Sequence, residues 1–283
     1  MRMRTPMAIV AVLVAGSALS ARADEWKKTF PLTGRADLRV ETNDGRVRVD
    51  TYEGKEIEAR VETMGWKIAD NEVRVSANQT GNSVQLDVRL PRRWGMGWSG
   101  NRWVHIDLRI PRESNLWVRT GDGSVEVQPI VGSLEVQTGD GHITVASAKG
   151  EVRLATGDGH IEARELDGRL DASSGDGHIT VAGRFDRLNL RTGDGRIDAR
   201  ALPGSKMDAS WSVRTGDGSV TLRLPDGFAA DLDAETRDGR ISVDFPVAVS
   251  GMLSQRTIRG KINGGGQVLS VHTGDGSIRL ERL

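Results

Sequence analysis

The chain contains no cysteine. Disulfide scaffolds, thiolate zinc sites, cysteine nucleophiles and a lipid-modified cysteine anchor are therefore excluded. Aromatic residues make up only 4% of the 283 residues, which leaves few rings to fill a wide core. No window carries a sustained 3.6-residue hydrophobic period, so helices are not expected. Basic excess is missing too. Lys+Arg and Asp+Glu number 39 each, a balance that argues against a nucleic-acid binder. Proline is scarce at 8 residues while glycine reaches 35. Without proline, that glycine excess is neither collagen-like nor low-complexity.

Long apolar runs are confined to one place. Arg2 and Arg4 precede an apolar stretch from Met7 to Leu19, and Ala21-Arg22-Ala23 follows. A positive start, a short apolar core and a small-x-small site describe a secretory signal peptide over 1–23. Its removal would start the mature chain at Asp24 and take away three arginines and no acid. No later stretch is apolar enough to span a bilayer. The expectation is an exported protein, periplasmic, cell-surface or secreted, with no transmembrane segment in the mature chain.

The remainder is dominated by a repeat. Asp-Gly recurs at Asp44, Asp122, Asp140, Asp158, Asp176, Asp194, Asp217, Asp238 and Asp275. From Asp122 to Asp194 the interval is 18 residues four times running; it then loosens to 23, 21 and 37. A fixed period of this size marks a stacked repeat. In one unit Leu134 and Val136 alternate with Glu135 and Gln137 before Thr138-Gly139-Asp140-Gly141. Ile143 and Val145 then alternate with His142 and Thr144. Period-2 alternation means strands with one buried face. Two short strands cannot bury a core alone, so equivalent strands are expected to stack in parallel, with aliphatic residues in continuous inward columns. The pairs Asp122-Gly123, Asp140-Gly141, Asp158-Gly159, Asp176-Gly177 and Asp194-Gly195 read as structural turns. There glycine would supply positive φ and aspartate would cap backbone N–H groups. Gly132, Gly150 and Gly168 mark a second corner. The division expected is a β region over 24–113, continuous with a β-solenoid over 114–283.

These TGDG-x-[IV]-x-[VAL] units, with Lys261-Ile262-Asn263-Gly264-Gly265-Gly266 and the strand pattern that follows, resemble the bacterial putative-adhesin family of β-strand-repeat proteins. The resemblance covers residues 35–283. It implies an all-β, right-handed parallel β-helix and a domain of unknown function, and it brings no catalytic set.

Candidate sites are few. The segment 91–103, PRRWGMGWSGNRW, reads as a long hairpin tip between alternating strands over 84–90 and 104–110. Trp94, Trp98, Arg102 and Trp103 are its candidate ligand contacts, since large amphipathic rings and adaptable donors suit recognition. The competing reading is that the rings cap the open end of the stack. The aspartates at 140, 158, 176 and 194 could line a calcium edge, but they lack the nine-residue calcium pattern and fit turn caps better. His142, His160 and His178 share one repeat position. They are either stacked imidazoles or a zinc or nickel ladder. The glycine run before Val268 has neither a P-loop pattern nor a following helix. Recurring carboxylates in equivalent places do not form the unlike pair a glycosidase needs, and no G-x-S-x-G elbow occurs. The sequence therefore points to a non-enzymatic, exported β-solenoid without cofactor or bound metal. Its expected partner is a glycan, a cell-wall polymer or an envelope protein, and not nucleic acid. A structural spacer and a carbohydrate-active enzyme are the alternatives.

Overall fold

The computed structural model describes residues 23–91, 102–249 and 254–283. Among these residues there is no helix, and all strands belong to one 23-stranded sheet. In chain order they are β1 (Asp24–Pro31), β2 (Ala36–Thr42), β3 (Arg46–Tyr52), β4 (Glu56–Met64), β5 (Arg74–Thr80), β6 (Ser83–Arg89), β7 (Trp103–Pro111) and β8 (Ser114–Arg119). They continue with β9 (Val125–Val127), β10 (Ile130–Thr138), β11 (Ile143–Val145), β12 (Ala148–Thr156), β13 (Ile161–Ser174), β14 (Ile179–Thr192), β15 (Ile197–Ala201) and β16 (Trp211–Thr215). The last are β17 (Val220–Leu224), β18 (Ala230–Thr236), β19 (Ile241–Val243), β20 (Val247–Val249), β21 (Thr257–Ile262), β22 (Val268–Thr273) and β23 (Ile278–Arg282).

Two parallel ladders run through the molecule. The first stacks β6, β2, β8, β10, β12, β13, β14, β16, β22 and β18. The second stacks β7, β3, β9, β11, β13, β14, β15, β17, β23 and β19. The long strands β13 and β14 serve both, first half in one ladder and second half in the other. Every coil but that of β6 and β7 passes from the first ladder to the second through an Asp-Gly corner. Three successive coils return past Gly132, Gly150 and Gly168, which lie side by side with φ of 146°, 131° and 137°.

Alternation builds the core. Leu134, Val152, Leu170 and Leu188 form one inward column, and Ile143, Ile161, Ile179 and Ile197 form another; all are buried. Each such side chain contributes about 1.5–3 kcal/mol on leaving water. The interior is not purely aliphatic, however. Trp211 and Phe185 are fully buried in an edge-on pair 6.3 Å apart, with Phe228 5.0 Å from Trp211. These rings enter where the 18-residue interval has lengthened to 23, and Trp211 occupies the column of Leu188.

Chain order and stacking order part company at both ends. The coil of β2 and β3 lies between that of β6 and β7 and that of β8 and β9. The last coil in sequence, β22 and β23, slips between β16 with β17 and β18 with β19. Antiparallel strands then close the ends. β5 lies on β6, β4 on β7 and β1 on β4 at one end; β21 lies on β18 and β20 on β21 at the other. Such strands meet the need of a stack to cover its terminal edges.

The hairpin expected around 91–103 is not formed. β6 pairs with β2 and β5, whereas β7 pairs with β3 and β4, so the two flanking strands belong to different ladders. Their alternation fits either arrangement. Neither ladder breaks at residue 113, since β8 joins β2 to β10.

Candidate functional site

The corner that joins the ladders has a local logic different from the one expected. The φ angles of Gly123, Gly141, Gly159, Gly177 and Gly195 are not in the left-handed region. Glycine is required there by close approach. A Cβ on Gly141 would lie 2.0 Å from the Gly123 carbonyl oxygen of the neighbouring coil, and Gly159, Gly177 and Gly195 repeat this at 1.9–2.0 Å. The preceding glycines bond directly between coils, with Gly139 N donating to Gly121 O and Gly157 N to Gly139 O, each at 2.5 Å.

The buried threonine, not the aspartate, caps the regular corners. Thr138 Oγ1 lies 2.9 Å from Gly121 O and 3.0 Å from Gly123 O, and accepts from Gly141 N at 3.2 Å. Thr156, Ser174, Thr192 and Thr215 repeat the pattern. Asp122, Asp140, Asp158, Asp176 and Asp194 point outward and are exposed. Asp44 is the exception, taking the Gly45 N–H at 2.6 Å. Thr120, beside that irregular corner, has the only buried side-chain oxygen among the described residues without a hydrogen-bond partner.

Missing side chains at the corner leave a groove. It is open, about 570 Å³ in volume, and runs along the stack from Thr42 to Thr156. Gly121, Gly139 and Ala155 form its low side, while Arg89, Arg119, Glu41 and Gln137 rise from the first ladder. Asn43 closes one end. Its Nδ2 donates to Leu90 O at 3.0 Å and its Oδ1 accepts from Leu90 N at 2.7 Å, which pins the start of the 90–103 connection. Arg89 is held by Asp87 and Glu41, and both carboxylates keep its guanidinium firmly protonated. Sequence reading passed over this groove because Arg89, Arg119 and Gln137 belong to different coils and share no motif. The one available signal was the glycine column itself.

On the other side of the Asn43–Leu90 clamp lies a smaller pocket of about 210 Å³, lined among others by Trp66, Arg102, Trp103 and His105. Trp103 stacks on His105 at 4.1 Å, and the Arg102 guanidinium sits over Trp66 at 5.5 Å. Two of the four candidate contacts, Arg102 and Trp103, thus come together here with Trp66, which sequence reading did not single out. Trp94 and Trp98 lie outside the described residues.

His142, His160 and His178 do form a ladder, with rings 5.1 and 4.9 Å apart and 12° and 6° from parallel. Each Nδ1 accepts a backbone N–H of the next coil, from His160, His178 and Arg196 in turn, at 3.0 Å. A neutral ring that accepts at Nδ1 must carry its proton on Nε2. Metal ligation through Nε2 would then break the bond between coils, so the geometry opposes the zinc or nickel reading. Among the described residues, no three His, Cys, Asp or Glu side chains converge to hold a metal ion. Burial, and then the neighbouring His178 and His142, push the His160 pKa below its ordinary value.

Family comparison agrees with this architecture. The Toastrack DUF4097 family model matches residues 35–281. The chain belongs to the Toastrack DUF4097 family. That membership bears out the resemblance drawn from the TGDG units. Solved structures similar to this Toastrack chain include a putative adhesin from Parabacteroides merdae, at 10% identity and TM-score 0.46, covering 91% of this chain and 96% of that one. A putative adhesin from Bacteroides fragilis is similar at 10% identity and TM-score 0.44, over 92% and 97% of the two chains. A putative lipid binding protein from Parabacteroides distasonis is similar at 12% identity and TM-score 0.41, again over 92% and 97%. No curated protein matches the chain. Among the described residues of this Toastrack protein, no helix is long and apolar enough to cross a membrane.

Proposed function

We propose that the chain is an exported, non-enzymatic binding module whose axial groove takes an extended glycan strand. One observation carries the reading: the groove follows the stack axis across four coils, with Arg119, Gln137 and Asn43 fixed along it by the ladder register. Planar donors spaced along an open trough match the hydroxyls of a linear polymer, and the bonded coils beneath fix the backbone that carries them, so no backbone ordering is needed on binding. Among the described residues the trough is lined by one carboxylate, Glu41, which Arg39 and Arg89 hold, so it offers no acid and base of opposed character for hydrolysis. Cell-wall polymer is the glycan source that an exported protein would meet. Arg102 and Trp103, with Trp94 and Trp98, are proposed as a second contact across the Asn43–Leu90 clamp. Export rests on the signal pattern and on β1 beginning at Asp24, directly after Ala23. The coils are proposed to wind right-handed, the common hand of parallel β-to-β crossovers.

A glycan array followed by calorimetric titration of each hit tests the reading. Arg119→Ala with Gln137→Ala should abolish binding of a glycan that the wild type holds, without lowering Tm. An array with no hit, or affinity unchanged by the double substitution, would leave a spacer as the better description. Pull-down from the native envelope with Trp94→Ala and Trp98→Ala tests the second contact.

A further inference from the structure

Much of the outer face of the first ladder pairs its charges. Arg39 meets Glu41, Arg89 meets Asp87 and Glu41, Arg153 meets Glu151, and Arg259 meets Asp233. Farther along the same face, Arg169 lies directly beside Arg187, and Arg191 directly beside Arg214. All four are exposed, and none makes an ion pair or side-chain hydrogen bond among the described residues. Like charges directly opposite on adjacent strands destabilise a sheet, and here the arrangement occurs twice within three coils. His272 extends the second pair, next to Arg214. Acids nearby are Glu151, already held by Arg153; Asp186, held by Arg184 and also felt by Arg169; Asp171; and the corner aspartates Asp176, Asp194 and Asp217. A local rule broken without a structural return is the mark of a functional surface.

The chemistry around the arginines narrows the partner. Between the two pairs lie Asp171, Asn189 and Ser212, and Ser173 lies directly beside Arg191; the row is polar with no apolar body, and its one carboxylate is outnumbered by the four guanidiniums around it. Of the exposed large apolar side chains of the described residues, Val249 and Leu283 lie elsewhere and Val268 is a single small group at the patch's margin, on the strand of His272, so the patch has too little to insert into a bilayer. It carries no Phe, Tyr or Trp on which a nucleic-acid base could stack, and the His272 ring is engaged by Ser270 and Asp233. Arg187 and Arg191 are four residues apart on one strand, roughly 13 Å, so the anionic groups they meet must be spaced along an extended chain. We propose that this face binds an acidic polysaccharide, whose carboxylates are held by the forked guanidiniums of Arg169, Arg187, Arg191 and Arg214. This site is separate from the axial groove and does not depend on it.

The test uses the mature protein, oligogalacturonate as the probe and its methyl-esterified form as the neutral control. Wild type should bind the acid form, more weakly as salt rises, and should not bind the ester. Arg191→Gln with Arg214→Gln should weaken binding by roughly tenfold or more, the loss expected for charge-assisted contacts. Their Tm should hold or rise, because a like-charge pair has been removed. Arg119→Ala with Gln137→Ala should leave this binding intact, which separates the site from the groove. Several outcomes would overturn the proposal: equal binding of the ester, of anionic phospholipid vesicles or of single-stranded DNA; affinity unchanged by the arginine substitutions; or a Tm drop of several degrees that assigns these arginines a structural role.

Discussion

At the scale of single residues, the corner is governed by how closely neighbouring coils approach. Gly141→Ala would push a methyl to 2.0 Å from Gly123 O, backbone that cannot swing aside. Chemical denaturation should report a loss of about 3 kcal/mol. Gly227, with open space around it, is the control, and Gly227→Ala should change stability by about 0.5 kcal/mol or less. The threonines make a sharper pair. Thr138→Val removes the Oγ1 contacts to two carbonyls and strands the Gly141 N–H, so it should cost about 1–3 kcal/mol. Thr120→Val deletes a hydroxyl that has no partner and should be neutral or stabilising. Equal losses at the two positions would refute the capping role given to threonine.

Among the elements, the imidazole ladder makes the bond from His160 to the next coil sensitive to pH. Each Nδ1 accepts only while its ring is neutral, and the His160 pKa is depressed in the folded state. The unfolded chain therefore binds protons more readily, and stability is complete above the ordinary histidine value near 6.5 and declines as pH falls below it. Asp140, Asp158 and Asp176 precede the three histidines by two residues and Glu162 follows His160 by two, while Arg196 and Ser124 hold the equivalent position at the ladder's two ends. Tm measured from pH 7.5 to 5 should fall for the wild type. It should fall less for His142→Ser, His160→Ser and His178→Ser combined, since Ser124 and Ser219 already occupy that position in other coils. Parallel curves would contradict this.

Much at this scale was legible in the sequence. The strict 18-residue interval placed Ile143, Ile161 and Ile179 in one buried column, where they are found. The intervals of 23, 21 and 37 signalled irregularity but not its form. β22 carries the same alternation as every other first-ladder strand, so nothing in its residues says that it pairs with β16 rather than following β18. Alternation specifies which face is buried and leaves the neighbour open, which also explains why β6 and β7 read as a hairpin. The groove was hidden for a related reason, since its walls are assembled only by the register between coils.

For the molecule as a whole, every coil but the two at the ends is bonded to two others, and the outer faces inherit that regularity. The axial groove and the arginine patch both depend on the order in which coils are laid. That order is the central claim, and the absence of native cysteine makes it directly measurable. Ser212 is paired with Ser270 on adjacent parallel strands, whereas Asp233 lies one coil farther, on the far side of Ser270. Directly paired positions fall within disulfide reach and positions two strands apart do not. The protein carrying Ser212→Cys and Ser270→Cys should crosslink under mild oxidation, and the protein carrying Ser212→Cys and Asp233→Cys should not. A crosslink between 212 and 233, with none between 212 and 270, would mean that the coils stack in chain order and would contradict the account.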